Sequence, residues 1–260
     1  MATVLGALKL GVLVAARVAP LTVFAPWISL RSAPAVVRAA VILALTLALA
    51  PLAAHAATDV PEHVPLVLLA VREAMVGTVF ALASALPFVA LDWSGQLVDT
   101  WRGASLAEVI APPTGERTSP LGDLYLLFGV ALFAAAGGHR VAIAAFARSF
   151  DAIPVGHAEA LAGVTGSGLV AAKNVGSALG FAVVLTAPAL VAIVAVELVL
   201  GFVGRMVPQI PVFFAGMPVR AAVGIAACLL VVPSLAEVLA PAFSQAIERA
   251  EQLLLPFGAP

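Results

Sequence analysis

Charge is what this sequence lacks most. Asp, Glu, Lys and Arg make up 10% of its 260 residues, where a soluble domain carries about 25%. With 63% hydrophobic residues and a mean hydropathy of +1.13, too little polar surface remains to solvate a globule, which excludes a soluble fold. Net charge is −1, so the basic footprint that nucleic-acid binding needs is missing. The one cysteine, Cys228, lies in an apolar run, which excludes an intrachain disulfide framework. The four histidines, His55, His63, His139 and His157, are scattered without metal-ligand spacing. P-loop, G-x-S-x-G and H-E-x-x-H patterns are absent. GSGLVAA (166–172) fits G-x-G-x-x-A, but without the preceding strand that a dinucleotide site requires. The expectation is a protein that is not an enzyme and takes no cofactor or metal.

What the sequence has in abundance is long apolar runs. Six can be drawn, at about 4–28, 36–52, 64–91, 121–146, 169–207 and 212–239. Period-2 strand patterns are absent, and backbone N–H and C=O groups in lipid need partners within their own segment, so all six are predicted to be helices. The fold class is therefore all-α, an integral membrane helical protein. RAAVILALTLALAPLAAHAA (38–57) has the layout of a signal peptide, but it follows another apolar run and reads as a spanning helix. The fourth run is broken at Gly137-Gly138-His139-Arg140. The fifth covers 39 residues, or about 58 Å as a helix, which is too long for a simple span. Pro188 inside it and Pro233 inside the sixth each remove a backbone donor, which predicts a C-terminal hairpin of two long, kinked helices. Arg31 and Arg38 favour a cytoplasmic first loop, while Arg140 and Arg148 contradict the alternation that follows, so the positive-inside rule assigns no consistent orientation.

The few polar residues are not evenly spread. LDWSGQLVDTWRGAS (91–105) places Asp92, Gln96, Asp99 and Arg102 at steps of four, three and three. On a helix these share one face, and Asp99 can pair with Arg102 one turn on. Such a stripe either faces a protein interior or water-filled path, since charge facing lipid is costly, or is a solvated juxtamembrane face. Arg72 and Glu73 are adjacent and cannot share a helix face, so each is expected to pair with a neighbouring segment or subunit. Glu197 lies eight residues before Arg205; it reads either as an interfacial helix-end carboxylate or as one half of an ion pair across subunits. Gly176 and Gly180 form a G-x-x-x-G, with Gly201 and Gly204 further on, positions where helix backbones can approach closely.

Four blocks, in order, resemble the FliR/SctT (YscT-type) family. They are RVAPLTVFAPWISLRSAPAVVRAAVILALTLALAP (17–51), VREAMVGTVFALASALPFVALDWSGQLVDTWRGASLAEVIAPPTGERTSPLG (71–122), LFAAAGGHRVAIAAFARSFDAIPVG (132–156) and APALVAIVAVELVLGFVGRMVPQIPVFFAGMPVRAAVG (187–224). The resemblance implies a core pore subunit of a type III protein export apparatus in the bacterial inner membrane, within the secretion basal body. Its implied partners are P/R-type and Q/S-type membrane subunits, the switch/gate export subunits, and the unfolded proteins that pass through the helical pore. It also implies a part at 1–165 resembling the larger pore subunit and a hairpin at 166–260 resembling the small one. The residues expected at subunit interfaces or along a polar stripe of the pore are Arg72, Glu73, Asp92, Gln96, Asp99, Arg102, Glu197 and Arg205. A plug loop is implied at about 111–121, with Pro112, Pro113, Gly115, Glu116 and Arg117. DTWRGAS is closer to injectisome than to flagellar members. PQIPVF departs from the family pattern, where many relatives have Asn before the Val-Phe; Pro211 removes an N–H there. Six segments with broken helices and intramembrane charges would also suit a small-solute secondary transporter, and a membrane-embedded hydrolase is a third reading.

Overall fold

A computed structural model describes residues 2–29, 33–56, 64–103, 119–156, 164–209 and 211–258. Among these residues every regular element is helical. The helices are α1 (Ala2–Val18), α2 (Leu21–Phe24), a 3₁₀ turn (Pro26–Ile28), α3 (Ala35–Ala56), α4 (Leu66–Trp101), α5 (Pro120–Ala135), α6 (Gly138–Ala152), α7 (Val164–Met206) and α8 (Val212–Gly258). Five helical stretches are long and apolar enough to cross a membrane, or six if α5 and α6 form one broken span. These match the six apolar runs read from the sequence.

The boundaries differ where polarity and backbone preference part ways. α4 is one helix of 36 residues with Pro87 inside it, so the third apolar run and the polar stripe form a single element. It stops short of residue 105: Gly103 has φ +84° and its N–H bonds the Thr100 carbonyl. That left-handed position after the last turn favours glycine. α8 runs 47 residues, well past the expected end near 239. Its last turns carry Gln245, Glu248, Arg249 and Glu251, which hide the helix from a hydropathy reading. Phe243, Ala246, Ile247, Ala250, Leu253 and Leu254 are buried at three- and four-residue steps, the signature of an amphipathic helix. The break in the fourth run is at Gly137, φ +74°, and any side chain at Gly138 would strike the Phe133 ring.

The chain divides into two compact units that interleave in sequence. The first comprises 1–86, 133–175 and 242–260; the second comprises 87–132 and 176–241. In the first, α3 packs on α1 and α6. An edge-to-face series, Phe80–Phe146–Phe150, fills its core, while Phe133 stacks edge-on against Phe243. In the second, α7 and α8 run antiparallel. Ile193, Glu197, Leu200 and Gly204 meet Gly224, Arg220, Gly216 and Val212 in turn, stepping up one helix as they step down the other. Gly176, Gly180 and Gly201 have open space where a Cβ would sit.

Candidate functional site

Among the described residues, two clusters built on buried charged side chains stand out, one in each unit. The first is centred on Arg17, which belongs to no polar stripe in the sequence and is fully buried near the end of α1. Its Nε donates to Glu73 Oε2 at 2.6 Å. Nη1 donates to the Ser149 carbonyl at 3.1 Å and Nη2 to the Ile153 carbonyl at 2.9 Å. The guanidinium also lies 4.5 Å over the Phe150 ring. Glu73 Oε1 accepts from the Gly156 N–H at 3.5 Å. One ion pair thus ties α1 to α4 and brings a cation to the last carbonyls of α6, where the helix dipole favours it; the Ser149 carbonyl accepts from both Arg17 and the Ile153 N–H. The approach of α1 to α4 is close: a Cβ at Gly77 would sit within 2.0 Å of the Arg17 carbonyl oxygen.

In the second unit the cluster is centred on Asp99, also buried. Arg102 Nε donates to Oδ1 at 2.6 Å. Oδ2 accepts from the Ser119 hydroxyl at 2.5 Å and from the Leu121 N–H at 3.0 Å. Ser119 Oγ in turn accepts from the Gly122 N–H at 3.1 Å. A carboxylate from α4 therefore caps the N-terminus of α5, where an anion is favoured. Gly95 permits this, since a Cβ there would lie 2.4 Å from the backbone of Leu121 and Gly122. Gln96 donates to Asp92 at 2.9 Å on the outer part of the same face.

Of the eight polar residues picked from the sequence, six find partners within the chain. Glu73 has Arg17, Asp92 has Gln96, and Asp99 has Arg102. Glu197 is paired within the chain with Arg220 of α8, Nε to Oε1 at 2.7 Å. Arg205 is exposed at the end of α7. Arg72 is 5% exposed, and among the described residues none of its three guanidine nitrogens has a hydrogen-bond partner. Pro188 lies inside continuous α7, and Pro233 inside α8. Pro112, Pro113, Gly115, Glu116 and Arg117 lie outside the described residues. Arg17, Arg220, Ser119 and Ser149 were missed. A lone arginine ending an apolar helix was the available signal for Arg17, because a buried Glu73 demands a cation.

The sequence matches bacterial export proteins, family 1, over residues 8–246. It is 26% identical over 234 residues to the flagellar biosynthetic protein FliR of Escherichia coli, covering 88% of this chain and 86% of that one. It is 28% identical over 200 residues to FliR of Bacillus subtilis, covering 77% and 76%. To the Yop proteins translocation protein T of Yersinia pestis it is 32% identical over 168 residues, covering 64% and 63%.

Proposed function

Because the chain belongs to the bacterial export proteins, family 1, and is a subunit of a type III export apparatus, we propose that its work is structural: it packs against sister membrane subunits to line a pore for unfolded proteins. The observation that carries this reading is the exposed apolar surface of α7. Val175, Leu179, Val183, Leu198, Phe202 and Met206 are all exposed, and together they wind around more than half of the helix circumference. From Val175 to Met206 is roughly 47 Å of helix, against a hydrocarbon core of about 30 Å. Keeping that whole length in lipid would need a tilt of about 50°, beyond the usual range of 0–40°. The excess apolar surface therefore calls for protein. The proposed occupants are P/R-type and Q/S-type membrane subunits, with the switch/gate export subunits further out, in the inner membrane within the basal body. The similarity to both flagellar and Yop translocation proteins leaves the role common to the two systems, and DTWRGAS favours an injectisome.

The remaining parts follow from that role. The part at 166–260 acts as the hairpin resembling a small pore subunit, with Pro188 and Pro233 bending α7 and α8 to the curvature of the ring. Residues 111–121 serve as the plug, and Asp99 supports the plug's base by holding Ser119 and Leu121 beside Arg102. Deleting 112–117 should make the closed assembly leaky to small ions, read as vesicle conductance; an unchanged leak would remove the plug role. The reading as a whole is tested by co-expressing the chain with the membrane subunits of its export system, followed by native mass spectrometry. A stoichiometric complex is expected. A stable monomer that moves small solutes across liposomes would overturn the reading in favour of a secondary transporter.

A further inference from the structure

We propose that Arg72 is a docking point for a carboxylate of a partner membrane subunit. This inference rests on the packing role proposed above and names the chemistry of one contact. Glu73, the adjacent acid, directs its hydrogen bonds elsewhere: Oε2 accepts from Arg17 and Oε1 from the Gly156 N–H. Arg72 sits on another face of α4, 95% covered, and its guanidinium has no hydrogen-bond partner among the described residues. A buried guanidinium without a partner is strongly unfavourable, and more so at membrane depth. Nature keeps such a cation where an anion completes it. One turn away on either side, and next in sequence, Leu68, Met75 and Val71 are 51%, 40% and 52% exposed. Arg72 therefore lies beside uncovered apolar side chains of α4, and its long, flexible stem gives the guanidinium reach toward them. Exposed apolar side chains bordered by one cation without a hydrogen-bond partner among the described residues fit a helix that is apolar with one Asp or Glu. Desolvation on docking strengthens that pair and makes it selective.

The test uses the full chain co-expressed with the membrane subunits of its export system, comparing wild type with Arg72→Met, Arg72→Glu and Arg17→Met. Arg72→Met should lower partner retention about tenfold or more in native mass spectrometry. It should leave the melting point of the isolated chain in detergent unchanged or raised, because it removes a buried charge with no hydrogen-bond partner among the described residues. Arg17→Met should lower that melting point. Arg72→Glu should abolish retention, and replacing the matching partner acid by Arg should restore it. Three results would each overturn the inference: a melting-point loss for Arg72→Met as large as that for Arg17→Met, undiminished retention in the Arg72 variants, or loss of bound anionic phospholipid with subunit retention intact. A wild-type chain that retains no partner subunit would bring down the packing role itself, and this inference with it; retention by wild type and Arg72 variants alike brings down this inference alone.

Discussion

The two buried clusters use the same pair of ions in opposite ways. Around Arg17 it is the cation that does the capping, donating to the carbonyls of Ser149 and Ile153 at a helix C-terminus. Around Asp99 it is the anion, accepting from Leu121 N–H at a helix N-terminus. Each ion thus sits where the helix dipole favours its sign. They differ in reach and in water. Arg17 and Glu73 are 56 residues apart with side chains fully buried, whereas Asp99 and Arg102 are one turn apart, and the Arg102 side chain is 13% exposed. A long-range, dry pair decides which helices are neighbours. A local pair with an edge in solvent mainly steers one carboxylate toward the next helix.

That contrast can be broken in order of size. Replacing Arg17 or Glu73 alone, as Arg17→Met or Glu73→Gln, should cost about 3–5 kcal/mol, because each change strands a buried charge. The double variant should cost less than the two single changes together; additivity, read from melting points in detergent, would show that the two side chains do not act as one unit. Asp99→Ala leaves the Leu121 N–H, Ser119 and Arg102 without their acceptor, for about 2–3 kcal/mol. Arg102→Ala removes one partner of three and should cost roughly 1 kcal/mol. Equal losses at the two positions would make the cluster a simple ion pair and not a cap.

Gly77→Ala and Gly95→Ala test the close approaches on which each cluster depends. Both would meet backbone, at 2.0 and 2.4 Å, for about 1–3 kcal/mol of overpacking. A neutral Gly95→Ala would show that α5 can slide away from α4 without penalty. The smallest effect belongs to the most exposed pair. Arg148→Ala, acting on the Glu251 pair, should change stability by about 1 kcal/mol or less. A larger loss at Arg148, whose side chain is 61% exposed, would mean that its surroundings are drier than the single chain shows.

Residue spacing alone was enough to establish the helical, membrane-spanning character of this chain. It also established the shared face of Asp92, Gln96, Asp99 and Arg102, and the break at Gly137–Gly138. These properties depend on neighbours three or four positions away, and that information is local. The amphipathic end of α8 was legible too, in the buried stripe from Phe243 to Leu254, but only to a reading by period and not by hydropathy. What the tertiary structure alone decided is which charges meet: Arg17 with Glu73, Glu197 with Arg220, and Asp99 with the start of α5. It also singled out Arg72 as the buried cation lacking a hydrogen-bond partner among the described residues. Partners far apart in sequence are chosen by which helices the fold places side by side. In a chain this apolar, nearly any pair of helices could bury the same surface, so composition could not tell one neighbour from another.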